Sequence, residues 1–292
     1  SLMMSMGSLV SGCSSDQASK ALATGDLTKL FSPNIGFEIN GAGEVLINIV
    51  RAEMGQHVGT SLAQIVADEL GADWSTVSFK HGDTDPKWGV MVTGGSWSVH
   101  TSFTALSQAG AAGRTILIDA AAKLMGVDAQ TCRAEKGIIS SGTKSLTFAE
   151  VVSNGDFSRT ITEDELASMP VKAPADRQVI GRDLRNLDVA DKSQGSAVYG
   201  LDAELPGMAY AMPLLPPTRY GSQVVQIDER AAKSIDGYIG AIEIKDPSQT
   251  VQACVVVAAE TMPAALKAAK AVTVEWVSGP TAKVTESAIL EE

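Results

Sequence analysis

The sequence predicts an α+β fold made of two parts. The first part begins with two strand-like segments around a glycine turn, and two helical stretches follow them. The second part alternates short strands with helical stretches over about ninety residues, which is typical of a small mixed module. With 292 residues, of which 45% are hydrophobic, the chain has enough apolar side chains for two packed cores.

The hydrophobic pattern of the first part predicts its elements in order. Residues 37–40 and 45–50 should form a hairpin, because alternating apolar residues enclose the turn at Gly41 and Gly43. Later stretches change to a helical period, and glycines separate them. The further predicted elements are a helix at 60–70, a strand at 77–84, a helix at 99–125, a hairpin at 137–142 and a short helix at 147–152.

The elements of the second part are predicted from short apolar runs that are separated by Gly, Pro and charged residues. Its predicted strands are at 198–199, 208–214, 223–227, 238–242, 251–258 and 272–276, with helices at 229–234 and 262–271. Residues 154–190 contain two prolines and alternating charges, so we expect a connector there.

Two glycine-rich turns form the candidate binding site, and each precedes a predicted helix. Glycine lets backbone N–H groups approach an anion, Gln and Ser add neutral donors and acceptors, and a helix N-terminus favours negative charge. Neither turn contains lysine, which disfavours a nucleotide-triphosphate loop and favours a larger cofactor with many hydrogen bonds. On spacing alone, ordinary turns remain the commoner interpretation. The candidate residues are Gly55 and Gln56 in the first turn, and Gly94, Gly95, Ser96 and Ser98 in the second.

Charge and composition exclude several functions. The net charge of −11 disfavours binding to nucleic acid, because no stretch concentrates enough Lys and Arg to neutralise phosphates. The three cysteines are far apart and lack metal-ligand spacing, so we expect no zinc or iron–sulfur site and no metal-ligating residue here. His57 follows Gln56 and could support a ligand contact, although a surface or loop histidine is the favoured interpretation.

The first residues resemble the end of an export signal. A short apolar segment leads to Cys13 and then turns polar, as in a bacterial lipoprotein signal with Cys13 as the lipidated residue. This predicts a periplasmic protein, with a lipid anchor as an option. The alternative is an apolar tail with an incidental cysteine, and then a soluble cytoplasmic protein.

Three motifs of the second part resemble a known family. They are Gly-Ser-Ala-Val-Tyr-Gly-Leu-Asp at 195–202, Leu-Pro-Gly-Met-Ala-Tyr-Ala at 205–211 and Lys-Ala-Val-Thr-Val-Glu-Trp at 270–276. Their order is similar to the a/b hammerhead domain of the xanthine dehydrogenase/aldehyde oxidase family. The whole chain resembles the amino-terminal part of the molybdopterin-binding large subunit, most closely the isoquinoline 1-oxidoreductase beta-subunit type.

The resemblance implies a division of the chain. Residues 1–34 would be a signal remnant and linker, 35–165 a portion of the molybdenum-cofactor-binding domain and 166–190 the connector. Residues 191–280 would be the hammerhead domain, and 281–292 the start of a following segment. The family's catalytic glutamate lies beyond the hammerhead, so no catalytic residue is assigned within these 292 residues.

The resemblance also implies the chemistry. It implies a molybdenum hydroxylase acting on N-heterocycles or aldehydes, with molybdopterin in its cytosine dinucleotide form. Gln56 would match the glutamine near the metal, and Gly95, Ser96 and Ser98 would match the turn that contacts pterin or phosphate. Electrons would pass to a small partner subunit with two 2Fe-2S clusters and then to an acceptor such as a cytochrome. Relatives commonly have Gly after this glutamine, whereas this chain has His57 and Val58.

Two rival functions are weighed against this one. The chain could be a cofactor-free, lipid-anchored binding or assembly module that keeps the family fold. A nicotinamide-dependent dehydrogenase is disfavoured, because no GxGxxG follows a strand.

Overall fold

The computed structural model describes residues 28–34, 36–245, 247 and 253–291. They form two compact units, the first ending at Tyr199 and the second beginning at Gly200. Both units combine helices and sheets, so the predicted α+β class is confirmed.

A four-stranded sheet is the base of the first unit. Its strands are β1 (Leu30–Asn34), β2 (Phe37–Asn40), β3 (Val45–Ile49) and β4 (Val77–His81), in that spatial order. β1, β2 and β3 pair antiparallel, which confirms the predicted hairpin, and β4 pairs parallel with β3. Helix α1 (Val58–Leu70) makes the crossover between the two parallel strands. It begins at the residue after His57, two residues before the predicted start.

The long helix α2 (Trp97–Met125) packs against α1. Glycines on α2 permit this close approach: a Cβ on Gly113 would lie 2.4 Å from the Phe37 ring, and one on Gly110 would lie 2.8 Å from Cβ of Glu69. A three-stranded antiparallel sheet of β5 (Arg133–Glu135), β6 (Ile138–Ser141) and β7 (Lys144–Thr147) follows, and then α3 (Phe148–Asn154).

The predicted connector is packed on the first unit instead of running free. It contains α4 (Glu163–Ala167) and leads into α5 (Val189–Gln194). The buried Asp68 carboxylate of α1 accepts backbone N–H groups from Gln178 at 3.0 Å, Val179 at 3.1 Å and Ile180 at 2.8 Å. Buried carboxylates need such partners, and this one holds the segment in place. The division between the two compact units lies after Tyr199, so residues 166–190 belong to the first unit.

The second unit contains two small antiparallel sheets. One has the order β10 (Tyr238–Ile244), β11 (Cys254–Ala259), β8 (Tyr210–Leu214), and the other pairs β12 (Thr273–Val277) with β9 (Gln223–Asp228). Helix α6 (Met262–Ala271) has the predicted bounds and packs on β8 and β11. A short helix, α7 (Glu286–Leu290), follows.

Three predicted elements of the second part differ from the structure. Val198 and Tyr199 are not a strand, and Val198 is exposed. The helix predicted at 229–234 is only a short 3-10 turn at Ala232–Ser234. The strand predicted at 251–258 begins at Cys254, and residues 251 and 252 lie outside the described ranges.

Candidate cofactor site

The structure brings the two glycine-rich turns together, and Arg51 joins them. Its Nη1 donates to the carbonyl oxygens of Val90 at 2.8 Å and Val92 at 3.0 Å, and its Nη2 donates to Oγ1 of Thr101 at 3.2 Å. The next residue adds a backbone bond, from the Ala52 N–H to Oγ1 of Thr93 at 2.8 Å. The segment before the first turn is thus fastened to both the loop and the helix that form the second turn.

In the first turn, the Glu53 carboxylate caps α1. Its Oε1 accepts the backbone N–H groups of Gly55 at 2.7 Å and His57 at 3.1 Å, and its Oε2 accepts that of Val58 at 3.0 Å. A carboxylate at this place complements the helix dipole. A side chain of the same turn therefore occupies part of the N-terminus of α1, where the sequence predicts a favourable place for a cofactor anion.

The Gln56 side chain is exposed and folds back onto its own turn. Its Oε1 accepts the Met54 N–H at 2.7 Å, and its Nε2 donates to the Ala52 carbonyl at 2.9 Å. A primary amide has a second N–H donor and a second oxygen lone pair. Gln56 is thus oriented by the turn and keeps capacity for a ligand.

In the second turn, the N-terminus of α2 has no side-chain cap among the described residues. Ser96 occupies the N-cap position, yet its hydroxyl makes no capping hydrogen bond, and no acidic residue lies in the first helical turn. A Cβ placed on Gly94 would meet nothing within 4 Å. The space beside Gly94 is therefore open, and the nearby end of α2 favours an anion. Ser98 lies inside the first turn of α2, which corrects its predicted place in the loop.

Both helices start from a left-handed residue that is not glycine. His57 has φ 58° and Ser96 has φ 60°. This conformation costs an L-residue about 1–2 kcal/mol, which explains why glycine suits the position after Gln56. The surrounding contacts must hold His57 in this conformation.

A cluster of charged side chains supplies those contacts. Nδ1 of His57 lies 2.8 Å from Oδ1 of Asp188, and Nζ of Lys192 lies 2.6 Å from Oδ2 of Asp188. The same Nζ lies 2.7 Å from Oε1 of Glu53. His57 is therefore a half-buried loop residue that belongs to a cluster of charged side chains. Asp188 and Lys192 belong to the α5 region and were not predicted as site residues.

The cluster shifts the pKa of its members. Burial alone would raise the pKa of the Glu53 carboxyl, but hydrogen bonds from Lys192, His57 and Gly55 outweigh burial and hold this pKa below its usual value. The pKa of Asp188 is lowered in the same way, against burial, by hydrogen bonds from Lys192 and His57. Burial would lower the pKa of Lys192, yet the two carboxylates raise it. The three groups therefore remain charged near neutral pH.

Exposed apolar side chains flank the two turns. Met54 is 65% exposed, Val90 74%, Val92 62% and Trp97 59%. Exposed apolar side chains beside a helix N-terminus suit a ligand with a ring system and an anionic group. The residues present thus fit a pterin cofactor with a phosphate, which hydrogen bonds would hold.

Other predicted features can be located on the described part of the chain. Within it, no group of three or more His, Cys, Asp or Glu side chains is arranged to hold a metal ion. Cys132 is buried and Cys254 half-buried, while Cys13 lies outside the described residues. Along the described ranges, every helix is too short or too polar to cross a lipid bilayer.

Comparison with known proteins gives three named relatives. A membrane-bound aldehyde dehydrogenase (pyrroloquinoline-quinone) of Gluconacetobacter polyoxogenes is 47% identical over 88% of this chain and 33% of its own length. The beta subunit of isoquinoline 1-oxidoreductase from Brevundimonas diminuta is 27% identical over 70% of this chain and 31% of its own. A nicotinate dehydrogenase subunit of Pseudomonas putida is 30% identical over 77% of this chain and 19% of its own. The chain thus spans a third or less of the length of these relatives.

The model of a protein family covers more than half of the chain. The molybdopterin cofactor-binding domain matches residues 4–177, which include both turns, α1 and α2. The match begins before Cys13, so it also includes most of the segment interpreted as an export signal and linker. The chain belongs to the molybdopterin cofactor-binding domain family.

Proposed function

We propose that this chain forms part of the molybdopterin site of a hydroxylase-type oxidoreductase. The observation that carries the proposal is the uncapped N-terminus of α2, fastened beside the Gln56 turn within a family that binds this cofactor. When bound, the cofactor would supply redox-active molybdenum for the oxidation of an electron-poor carbon.

Each turn has its own task in this proposal. The backbone at Gly94 and Gly95, with the Ser96 and Ser98 hydroxyls, would hold the phosphate or the pterin edge at the end of α2. The spare N–H of Gln56 would donate to an acceptor on or near the metal. The charged cluster at Glu53 would keep the first turn in place and would not itself contact the cofactor.

The substrate and the partners follow from the relatives. Their names include an aldehyde, isoquinoline and nicotinate, which supports a small aldehyde or N-heterocycle as the substrate. Two of the names denote subunits. With that support, we assign electron transfer to a separate 2Fe-2S subunit and then an acceptor such as a cytochrome. The cytosine dinucleotide form of the cofactor and a hammerhead domain at 191–280 belong to the same proposal.

The test is to measure the cofactor in the full-length protein purified from its native host. We expect molybdenum by elemental analysis and a pterin by fluorescence after oxidative release, in equal amounts. Gly94→Leu fills the open space before α2, and because nothing lies within 4 Å of the Cβ, the chain should fold as before. Its molybdenum content should fall about tenfold, equivalent to about 1.4 kcal/mol of binding.

A matched control is Gly240→Leu, another glycine whose Cβ meets nothing within 4 Å, here on β10. It should keep the cofactor. A folded wild-type protein without molybdenum and pterin would refute the proposal and leave the cofactor-free module.

The name of the 47% identical relative favours a second candidate, in which the same anion site holds the carboxylates of pyrroloquinoline quinone. Finding that quinone without molybdenum would establish it.

Periplasmic location with a lipid on Cys13 is a separate proposal. It predicts labelling of the wild type by a radioactive fatty acid, and no labelling of Cys13→Ser. An unlabelled wild type would instead indicate that the first residues belong to the domain, as the family match from residue 4 favours.

A further inference from the structure

Lys192 connects the α5 region to the first turn through two short ion pairs. Its Nζ lies 2.6 Å from Asp188 on the same helical segment and 2.7 Å from Glu53 in the turn. The Lys192 side chain is 16% exposed and that of Glu53 is 11% exposed. Charges so shielded from water need partners, so each holds the other in one position.

Glu53 passes this restraint to the backbone around Gln56. One oxygen, Oε1, accepts from Gly55, His57 and Lys192, and the other accepts from Val58. The three backbone donors lie immediately before and after Gln56. The position of the Glu53 carboxylate therefore determines the path of the chain on both sides of that glutamine.

We infer that Lys192 is a positioning residue for the Gln56 turn: its ammonium group fixes the Glu53 carboxylate, which fixes the backbone that presents Gln56. The assignment of a cofactor contact to Gln56 rests on the proposed function. The restraint of the turn by Lys192 and Glu53 does not depend on that function. Asp188 adds a second restraint, because it binds both Lys192 and His57, the left-handed residue that starts α1.

The competing role for Lys192 is a local anchor for α5. Its pair with Asp188 at i,i+4 would be sufficient for that role. The two roles differ in which amides become mobile when the ammonium group is removed. If Lys192 is only an anchor, removing its ammonium group should increase amide mobility in residues 188–194 alone. If Lys192 is a positioning residue, amide mobility should also increase in residues 55–58, which are far away in sequence.

The experiment compares Lys192→Met with the wild type in the full-length protein from its native host. Hydrogen exchange followed by mass spectrometry should show the amides of residues 55–58 exchanging about tenfold faster in the variant, as expected when local opening becomes easier. Molybdenum content should fall to less than about half, because the glutamine is less well placed. Lys192→Arg keeps the charge and should restore both values to within about threefold.

Lys172→Met is the matched control. Lys172 is 15% exposed and pairs with the buried Asp68 at the other end of α1, so its loss removes a comparable ion pair away from the turn. It should speed exchange near residues 178–180 and leave residues 55–58 unchanged. If Lys192→Met does not fold, Lys192→Gln keeps a donor without the charge and serves in its place.

Two outcomes separate this inference from the proposed function. Faster exchange in 188–194 with no change in 55–58 would overturn the positioning role and leave a local anchor. A wild type without molybdenum would refute the proposed function, while the exchange measurement would still decide whether Lys192 holds the turn.

Discussion

Glu53 shows that one side chain can decide what a helix end is used for. Its carboxylate accepts the N–H groups of Gly55 in the turn, His57 at the N-cap and Val58 at the first position of α1, so a negative charge already lies at that end. The start of α2 lacks such a side chain among the described residues and remains open. Two similar glycine turns thus have different roles, and the difference lies in one acidic residue.

Glu53 and its partners predict a pH-dependent stability. The pKa of Glu53 in the folded chain is below the usual value of a glutamate, so its contribution is present above that usual value and is lost as pH falls through the folded pKa. Glu53→Gln should therefore lower the unfolding free energy by about 1–2 kcal/mol at pH 7. Thermal unfolding should show this difference shrinking towards zero as the pH falls below the folded pKa of Glu53, where the wild-type group is also neutral.

Asp188 acts in the same direction as Glu53, because its pKa is also lowered and it loses its charge on the acid side. Glu135→Gln, at an exposed position on β5, is the control and should change stability little across this pH range. A Glu53→Gln effect that stays the same size from pH 7 down through the acid titration of Glu53 would contradict an ionic contribution.

The site residues divide into those that sequence predicts and those that it does not. Glycines before a helix are a local signal, and Gly55, Gln56 and Gly94 were predicted from it. Lys192 contacts Glu53 across 139 residues, and no spacing rule connects them. The left-handed conformation of His57 is likewise set by tertiary contacts and not by its residue type.

At the scale of elements, close packing between α1, α2 and the sheet depends on glycines, which have no side chain to separate them. A Cβ on the buried Gly113 would lie 2.4 Å from Cζ of Phe37 and 3.1 Å from Cδ2 of Leu70. Alanine is the better helix former by about 1 kcal/mol, but the overlap costs about 1–3 kcal/mol in a dense core. Gly113→Ala should therefore destabilise the first unit by up to about 2 kcal/mol in denaturant unfolding.

The matched control for Gly113→Ala is Gly94→Ala. Its Cβ would meet nothing within 4 Å and its φ is not left-handed, so stability should change by less than about 0.5 kcal/mol. Equal effects of the two substitutions would show that the overlap with Phe37 and Leu70 does not determine the cost.

Long elements were predicted better than short ones. Helices α1, α2 and α6 have several turns of apolar periodicity, and each was predicted to within two residues. Strand β1 was not predicted, because it contains Pro33. A proline is tolerated there because β1 lies at the edge of the sheet. Val198 and Tyr199 are apolar, yet they lie outside the strands of the described structure. In short runs, apolar composition alone does not determine a strand.

At the scale of the whole chain, the boundary between the units is an exposed irregular stretch. Residues 198–207 include Val198, Leu201 and Leu205, which are 77%, 87% and 72% exposed. A protease specific for large apolar residues, such as thermolysin, should cut this chain there and release a C-terminal fragment of about ninety residues. The fragments are identified by intact-mass spectrometry.

A double variant, Leu201→Asp with Leu205→Asp, should slow this cleavage, because it removes two preferred residues without touching either core. First cuts inside α2 or β11 would contradict the division into two compact units. The number of units was predictable from composition, whereas their boundary was not, because the contacts of Asp68 with 178–180 join the supposed connector to the first unit.

The separation of Lys192 from Glu53 has a consequence for biosynthesis. The bonds of Arg51 reach no further than Thr101, so the two turns are tied within about fifty residues and can meet while the ribosome is still adding the rest. The ammonium group that steadies the first turn emerges 139 residues after Glu53. During synthesis the two turns can therefore meet before Lys192 is available to hold Glu53 in the first turn. We expect cofactor insertion to follow once Lys192 has paired with Glu53.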